Sequence, residues 1–327
     1  MNTELQESCK LFVENRDLIQ KAFKWESSYM MPACSLLFTG MKAKVNVELM
    51  KECNDILKKE VSAFSYLRGN TKLILLSKMT LTSSPKQYVE QVLKVYEQLK
   101  LEGLYGSDYA VLAAMIIVDE HGEQSIDDII AQIGVIYKKM KKNHPFLTSS
   151  EDVPFATLLA MSELSDEKVL EDMEACYQIL KPVFHSANGV QSLSHVLALD
   201  ERDAKTKCDA VIDLYNRFKA ERESLDYNTI AVFGSLIMLG LDNETIVKEV
   251  CEVSDWLVTQ KGFGNFFGTG QRVRLLYAAA LVMEHYSDHC LDTEATVLTG
   301  TVAVMVAAEM AMIAAIAAAN AAATASN

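Results

Sequence analysis

A repeat of about forty residues limits what this 327-residue chain can fold into. Four tyrosines and one leucine mark its equivalent positions: Tyr96, Tyr137, Tyr177, Tyr215 and Leu257. Apolar residues recur four and seven places before each of these positions and, in the first four copies, three places after it. This spacing forms one stripe of an α-helix, so each copy opens with an amphipathic helix of about four to five turns.

A shorter run that is apolar on most sides follows each of these helices after a loop. The runs are 108–118, 153–164, 189–199, 227–239 and 271–286. A helix that is apolar on most sides is buried on most sides. Links such as 164–167 and 241–244 carry acidic or hydroxyl side chains, which cap the next helix. The unit is therefore a two-helix hairpin, whose length matches HEAT and armadillo repeats.

The predicted fold is all-α, because only 5 prolines and 14 glycines interrupt a chain that is otherwise rich in helix-forming residues. We expect an α/α-hairpin repeat array of about seven units, resembling a HEAT or armadillo superhelix. The sequence predicts one continuous domain over 1–327. An N-terminal capping hairpin covers 1–46, the repeats cover 47–290, and an alanine-rich C-terminal capping helix covers 291–327.

Charge and cysteine usage narrow the class of protein. The net charge of −13 opposes non-specific nucleic-acid binding, so we expect no nucleic-acid partner. The N-terminal residues do not resemble a signal peptide. The seven cysteines form no C-x-x-C pair, which favours reduced, buried thiols in the cytoplasm.

The alanine-rich segment 301–319 contains one charge, Glu309. A mid-helix carboxylate offsets the modest gain from inserting its valines and isoleucines into lipid. We therefore expect no membrane partner, with a C-terminal anchor as the minority alternative. Glu309 lies on the apolar stripe of this helix, so it is predicted to be at least half buried and paired with Arg272, Arg274, His285 or a hydroxyl group.

A glycine-rich segment near the end of the last repeat is the strongest local candidate for a site. Its residues are Gly262, Gly264, Gly268, Gly270, Arg272 and Arg274. Bare amide groups before a helix and two arginines are suited to binding an anion. Alternatively, the glycines let a long loop fold Phe263, Phe266 and Phe267 into the core. The two arginines lie two residues apart on a helix and are predicted to have different roles.

His285 and His289 have the i, i+4 spacing of metal ligands on one helix face. A metal site there is a minor alternative, because the other histidines are scattered singly and only two ligands are provided. The chain has no G-x-S-x-G, H-E-x-x-H or D-D-x-x-D motif. We therefore expect no cofactor, and the prediction leans away from an enzyme.

The segment from His144-Pro145-Phe146-Leu147-Thr148 to Leu158-Leu159-Ala160, the forty-residue helical units and the alanine-rich end resemble one bacterial family. It is the family of proteins with domain of unknown function four thousand and three. The resemblance extends over nearly the whole chain. It implies a bacterial, all-helical protein with no established activity and no functional residues to transfer.

Two functions remain open from the sequence. The first is a non-catalytic, cytoplasmic helical-repeat scaffold that binds a protein or peptide, because such arrays present long surfaces. The second is a binding protein or enzyme for an anionic small molecule, with the glycine-rich segment 262–274 as its site.

Overall fold

The computed structural model describes residues 1–104, 106–162, 164–221, 230–264 and 270–287. These residues form fourteen α-helices and two short 3₁₀ turns, and they contain no strand. The helices are α1 (Thr3–Ala22), α2 (Met30–Gly40), α3 (Val47–Glu60), α4 (Lys72–Leu81), α5 (Pro85–Leu101), α6 (Asp108–Glu120), α7 (Ile126–Asn143), α8 (Val153–Met161), α9 (Asp166–Leu180), α10 (Ala187–Leu197), α11 (Ala204–Ala220), α12 (Ala231–Met238), α13 (Asn243–Val258) and α14 (Gly270–Ser287). The all-α prediction is confirmed, while the arrangement as a repeat superhelix stays a prediction.

The apolar stripe predicted from the repeat is buried in the longer helices α5, α7, α9, α11 and α13. Its members four places before the aligned positions are Val92, Ile133, Met173, Val211 and Val253, and all five are buried. The members seven places before are buried as well. Among the aligned residues, Tyr96, Tyr177 and Leu257 are buried, whereas Tyr137 and Tyr215 are partly exposed. Burial of one stripe orients each of these helices about its axis.

Hydroxyl and acidic side chains begin several helices, as the links between runs predict. The side chains that accept a backbone N–H in the first turn are Ser107, Ser125, Ser186, Asp203 and Asp242. At the start of α5, Pro85 occupies the first turn, but the Ser84 side chain makes no capping bond. Proline lacks one of the N–H groups that a cap would satisfy.

The chain divides into two compact units. The middle unit comprises Glu14–Asp166. In it α2, α4, α6 and α8 are buried along most of their length, and α2 packs against α4 and α6 against α8. Helices α3, α5 and α7 each cover the next helix with one apolar face. These packed pairs place their connecting loops at the surface.

The terminal unit joins Met1–Val13 to the described residues of the ranges 167–221, 230–264 and 270–287. Its central contacts run from α10 to α12 and from α12 to α14, with α11 and α13 packed alongside. Gly234 on α12 permits the close approach of α10, because an added Cβ atom would lie 2.7 Å from Cγ1 of Val196. The first turns of α1 belong to the same core, since the Phe12 ring packs 5.6 Å from the Phe263 ring and 5.7 Å from the Tyr277 ring.

Several sequence predictions fall on residues 288–327, which lie outside the described residues. They concern the C-terminal capping helix 291–327, the environment of Glu309 and the segment 301–319. Within the described ranges, no helix combines the length and the apolar character needed to cross a membrane. The six cysteines described have free thiols, and all but Cys251 are buried.

Candidate binding surface

Arg274 and Arg272, the two predicted anion-binding cations, lie in different environments at the start of α14. Arg274 is buried, and its guanidinium donates to the Phe263 carbonyl at 3.0 Å and to the Ser254 hydroxyl at 3.2 Å. Arg272 is exposed. The two arginines thus differ in burial, while the difference in their roles stays a prediction. Arg274 ties the loop to α13, whereas Arg272 faces solvent.

The described glycines of this segment shape the loop around Phe263. Gly262 and Gly270 have φ values of 88° and 75°, which an L side chain rarely adopts. Phe263 between them is fully buried against Phe12. For Phe263, these contacts agree with the alternative in which the glycines let the loop fold its phenylalanines into the core. Gly268, Phe266 and Phe267 lie outside the described residues, so anion binding at 262–274 stays a prediction.

His285, one of the two predicted metal ligands, is buried near the end of α14. Its Nε2 atom lies 2.8 Å from the Asn2 amide nitrogen, so the ring joins α14 to the start of α1. His289 lies outside the described residues. The part of the chain that is described contains no group of three or more His, Cys, Asp or Glu side chains arranged to hold a metal ion.

A buried charge cluster in the terminal unit was not predicted from the sequence. The Lys207 side chain is fully buried, and its ammonium group binds the Asp172 carboxylate and donates to the Asp200 carbonyl at 2.8 Å. Asp200 is also buried, and Arg202 donates to its carboxylate. Each charge therefore has an opposite charge or a carbonyl beside it, as burial requires. This arrangement supports a structural role for Lys207.

Two cysteines lie next to this cluster. The Cys208 thiol, on α11, donates to the Cys176 carbonyl of α9 at 3.9 Å. The hydrogen bond between the two side chains and burial both raise the pKa of the Cys176 thiol. Because the thiolate is the reactive form, this environment opposes nucleophilic chemistry at Cys176.

Asp152 in the middle unit has a strongly shifted pKa for a structural reason. It forms a capping box with Ser149 at the turn before α8, where the Ser149 N–H donates to its carboxylate at 2.8 Å. Burial raises the pKa of Asp152 to about 7. A strongly shifted pKa often marks a catalytic residue, but here the carboxyl group caps a turn.

Four large apolar side chains of the middle unit are almost fully exposed. Trp25 is 89 % exposed, Phe64 is 99 %, Leu101 is 87 % and Phe146 is 98 %. Trp25, Phe64 and Phe146 lie in the connections α1–α2, α3–α4 and α7–α8. Leu101 is the last residue of α5, at the start of the α5–α6 connection. We call these connections, residues 23–29, 61–71, 101–104 with 106–107, and 144–149, the loop rim. Isolated apolar residues are common on surfaces, but four at equivalent positions suggest a binding surface.

Bonds between neighbouring connections hold the loop rim together. They are the Lys72 ammonium with the Glu26 carboxylate at 2.6 Å, the Asn70 amide with the Asp108 carboxylate at 3.3 Å, and the Tyr109 hydroxyl with the Glu151 carboxylate at 3.1 Å. Each bond joins one connection, or a residue at most two positions beyond it, to the following connection or to a residue at most two positions beyond that one. The four exposed side chains therefore belong to one continuous edge of the middle unit.

The helices that lead into the loop rim carry exposed lysines in their last two turns. The exposed lysines of these last turns and the adjoining loop are Lys21, Lys24, Lys58, Lys59, Lys100, Lys138, Lys139, Lys141 and Lys142. Lys24 lies over the Trp25 ring, 5.2 Å from its centre. Within the described residues, no ion pair is formed by Lys21, Lys59, Lys139 or Lys142. These nine lysines outnumber the acidic side chains of the rim and of the same helix ends, which are Asp17, Glu26, Asp55, Glu60, Glu97 and Glu102. This edge therefore carries a net positive charge in a chain that is acidic overall.

The loop rim was not predicted from the sequence. A signal was present, since Trp25, Phe64 and Phe146 each fall between predicted helices, shortly after a basic helix end. A large apolar residue in such a loop has no stripe to pack with. Whether it folds back into the core, as Phe263 does, depends on tertiary contacts that one sequence does not reveal.

Comparison with known proteins places this architecture in a family. The family model described as "Protein of unknown function (DUF4003)" matches residues 15–311. The chain is 24 % identical over 268 residues to "Uncharacterized protein YeaA" of Bacillus subtilis (strain 168), a match that covers 80 % of each chain. No solved structure matches. The chain belongs to the DUF4003 family of proteins of unknown function.

Proposed function

We propose that the chain is a non-catalytic, cytoplasmic helical scaffold and that the loop rim is its recognition surface. The observation that carries this proposal is the row of exposed side chains Trp25, Phe64, Leu101 and Phe146 at equivalent connections. Leaving them in water forgoes roughly 1.5–3 kcal/mol of burial for each side chain. A partner that covers them recovers part of that free energy.

The buried ionisable groups support the non-catalytic part of the proposal. Lys207 and Arg274 are engaged in contacts that hold helices and loops together. Asp152 caps a turn, and the pKa of the Cys176 thiol is raised. A nucleophile or a general base needs an accessible reactive form, which these environments do not favour.

The partner class expected from helical arrays is a protein or peptide. Binding of an anionic small molecule at 262–274 is the weaker proposal, because Arg274 already donates to Phe263 and Ser254. Arg272 is the exposed cation at that position and is the residue on which this alternative depends.

Site-specific photocrosslinking in living bacterial cells tests the loop rim as a recognition surface. Phe64 or Phe146 is replaced by p-benzoylphenylalanine, and adducts are detected by mass after irradiation. Met41, an exposed residue at the α2–α3 connection outside the rim, provides the matched control. We expect adducts at both rim positions and few at Met41. Equal labelling at all three positions, or none at the rim, would contradict the proposal.

A further inference from the structure

We infer that the loop rim binds an anionic membrane surface as a peripheral contact. This inference rests on the proposed function, since it names the partner of the same surface. It combines the two chemical properties of the rim, which are exposed apolar tips and lysines immediately behind them. Lipid headgroups attract the lysines, and the acyl boundary accepts the tips.

The exposed tips favour a lipid surface over a folded protein. Each of them stands on a separate connection, and three are aromatic. A protein partner gains from such side chains when it offers a fitted pocket for each one. A membrane interface needs no fitted pockets, and tryptophan is enriched there because its ring is amphipathic.

Lysines lie at the helix ends next to two of the exposed tips. Lys59 and Lys142 belong to the last turns of the helices that lead to Phe64 and Phe146. Their aliphatic stems can lie along apolar surface while the ammonium groups reach phosphate oxygens. A basic residue near an anionic membrane surface contributes about 1 kcal/mol, so several of them together bind appreciably.

The distribution of charge orients the middle unit on such a surface. The end of α6, the α6–α7 connection and the first turn of α7 are acidic, with Asp119, Glu120, Glu123, Asp127 and Asp128. Helix α6 begins next to the rim, and this acidic segment lies at its other end. Helix α6 has 13 residues and is therefore about 20 Å long, or about two Debye lengths at 0.1 M salt. An anionic membrane thus attracts the rim, while the acidic segment is largely screened from it.

Vesicle sedimentation tests this inference with the full chain. The probes are vesicles of phosphatidylcholine alone and of equimolar phosphatidylglycerol and phosphatidylcholine. We expect binding to the anionic vesicles, with a partition coefficient that falls between 50 and 300 mM salt. Binding to vesicles of phosphatidylcholine alone should be weaker by about tenfold or more.

Two matched sets of variants separate the apolar and the electrostatic contributions. The combined variant Trp25→Ser, Phe64→Ser, Phe146→Ser should bind about tenfold more weakly, whereas Met41→Ser should bind like the unaltered chain. Replacing Lys21, Lys59, Lys139 and Lys142 by glutamine should weaken binding about thirtyfold or more. The same replacement of four exposed lysines outside the rim, Lys10, Lys51, Lys94 and Lys205, should have much less effect.

Circular dichroism and the unfolding midpoint of each variant establish that it is folded. Failure to bind anionic vesicles, or binding that both rim variants retain, would overturn the inference. Protein adducts at Phe64 and Phe146 without vesicle binding would also overturn it and leave the rim as a recognition surface for a protein. Absence of any adduct at the rim would instead contradict the proposed function.

Discussion

The loop rim of the middle unit and the interior of the terminal unit use charged and aromatic residues in opposite ways. In the terminal unit, Lys207 and Arg274 are buried with partners, and Phe263 is packed in a loop next to aromatic rings. In the rim, Phe64 and Phe146 stand in solvent near exposed lysines. The interior groups hold the fold together. The rim groups contribute little to it, which leaves them available for a partner.

Removing the Lys207 ammonium should have the largest effect on stability. Lys207→Ala leaves the Asp172 carboxylate and the buried Asp200 carbonyl without their cation, so we expect a loss of about 3 kcal/mol in the free energy of unfolding. Lys205 lies two residues before Lys207 and is exposed, so Lys205→Ala should change the free energy of unfolding by less than about 0.5 kcal/mol. Urea titrations of both variants measure the difference. Equal effects would show that Lys207 is not the centre of a buried cluster.

Replacing each of the two arginines of α14 should affect the free energy of unfolding unequally. Arg274→Ala removes donors from the Phe263 carbonyl and the Ser254 hydroxyl in a buried place, so a loss of about 2 kcal/mol is expected. Arg272→Ala is expected to cost less than about 1 kcal/mol, because its side chain is exposed. Thermal and urea unfolding provide the measurement. If Arg272→Ala costs as much as Arg274→Ala, the assignment of Arg274 to the loop's structure is wrong.

The pH dependence of stability should contain a contribution from the titration of Asp152. Its pKa is about 7 in the folded chain and 3.8 for an ordinary aspartate, so the folded state binds more protons between these values. The stabilising contribution is complete below about pH 4 and is lost as the pH rises to 7, at no more than about 1.4 kcal/mol per pH unit. Asp152→Asn keeps an oxygen for the Ser149 N–H and should remove this slope. If Asp152→Asn leaves the slope of the free energy of unfolding against pH unchanged, the slope comes from another group.

Alterations to the rim should have the smallest effect on stability. Phe64→Ser and Phe146→Ser remove side chains that are almost fully exposed, so we expect changes within about 0.5 kcal/mol in the free energy of unfolding. Urea titration checks this directly. A loss above about 1.5 kcal/mol for either variant would mean that the side chain packs into the fold and is not held out for a partner.

The sequence predicts the helices and their buried faces better than it predicts the use of individual charges. The period of the apolar residues locates Val92, Val211 and Val253 in the core, because any helix that buries one stripe must bury them. Lys207 precedes the stripe residue Cys208, and a lysine in that position is ordinarily solvated. Its burial depends on Asp172, which lies on another helix. A single sequence does not show that pairing.

The candidate sites show the same limit. The expectation that Arg272 and Arg274 differ follows from helical spacing, but their spacing does not reveal which one is buried. The segment that resembles the family includes Phe146, but the sequence does not indicate that its side chain is exposed. Exposure of Trp25, Phe64 and Phe146 depends on which loops fold back onto their helices. That choice is made by tertiary packing.

Fluorescence of Trp25 in the presence of brominated lipids is the most direct measurement of the role of the rim. The chain has two tryptophans, so Trp256→Phe leaves Trp25 as the only one, and Trp25→Phe leaves Trp256 for comparison. With anionic vesicles that contain brominated acyl chains, we expect strong quenching of Trp25 and little quenching of Trp256. Equal quenching of the two, or none at Trp25 under conditions where the chain binds the vesicles, would show that the loop rim is not the surface that contacts lipid.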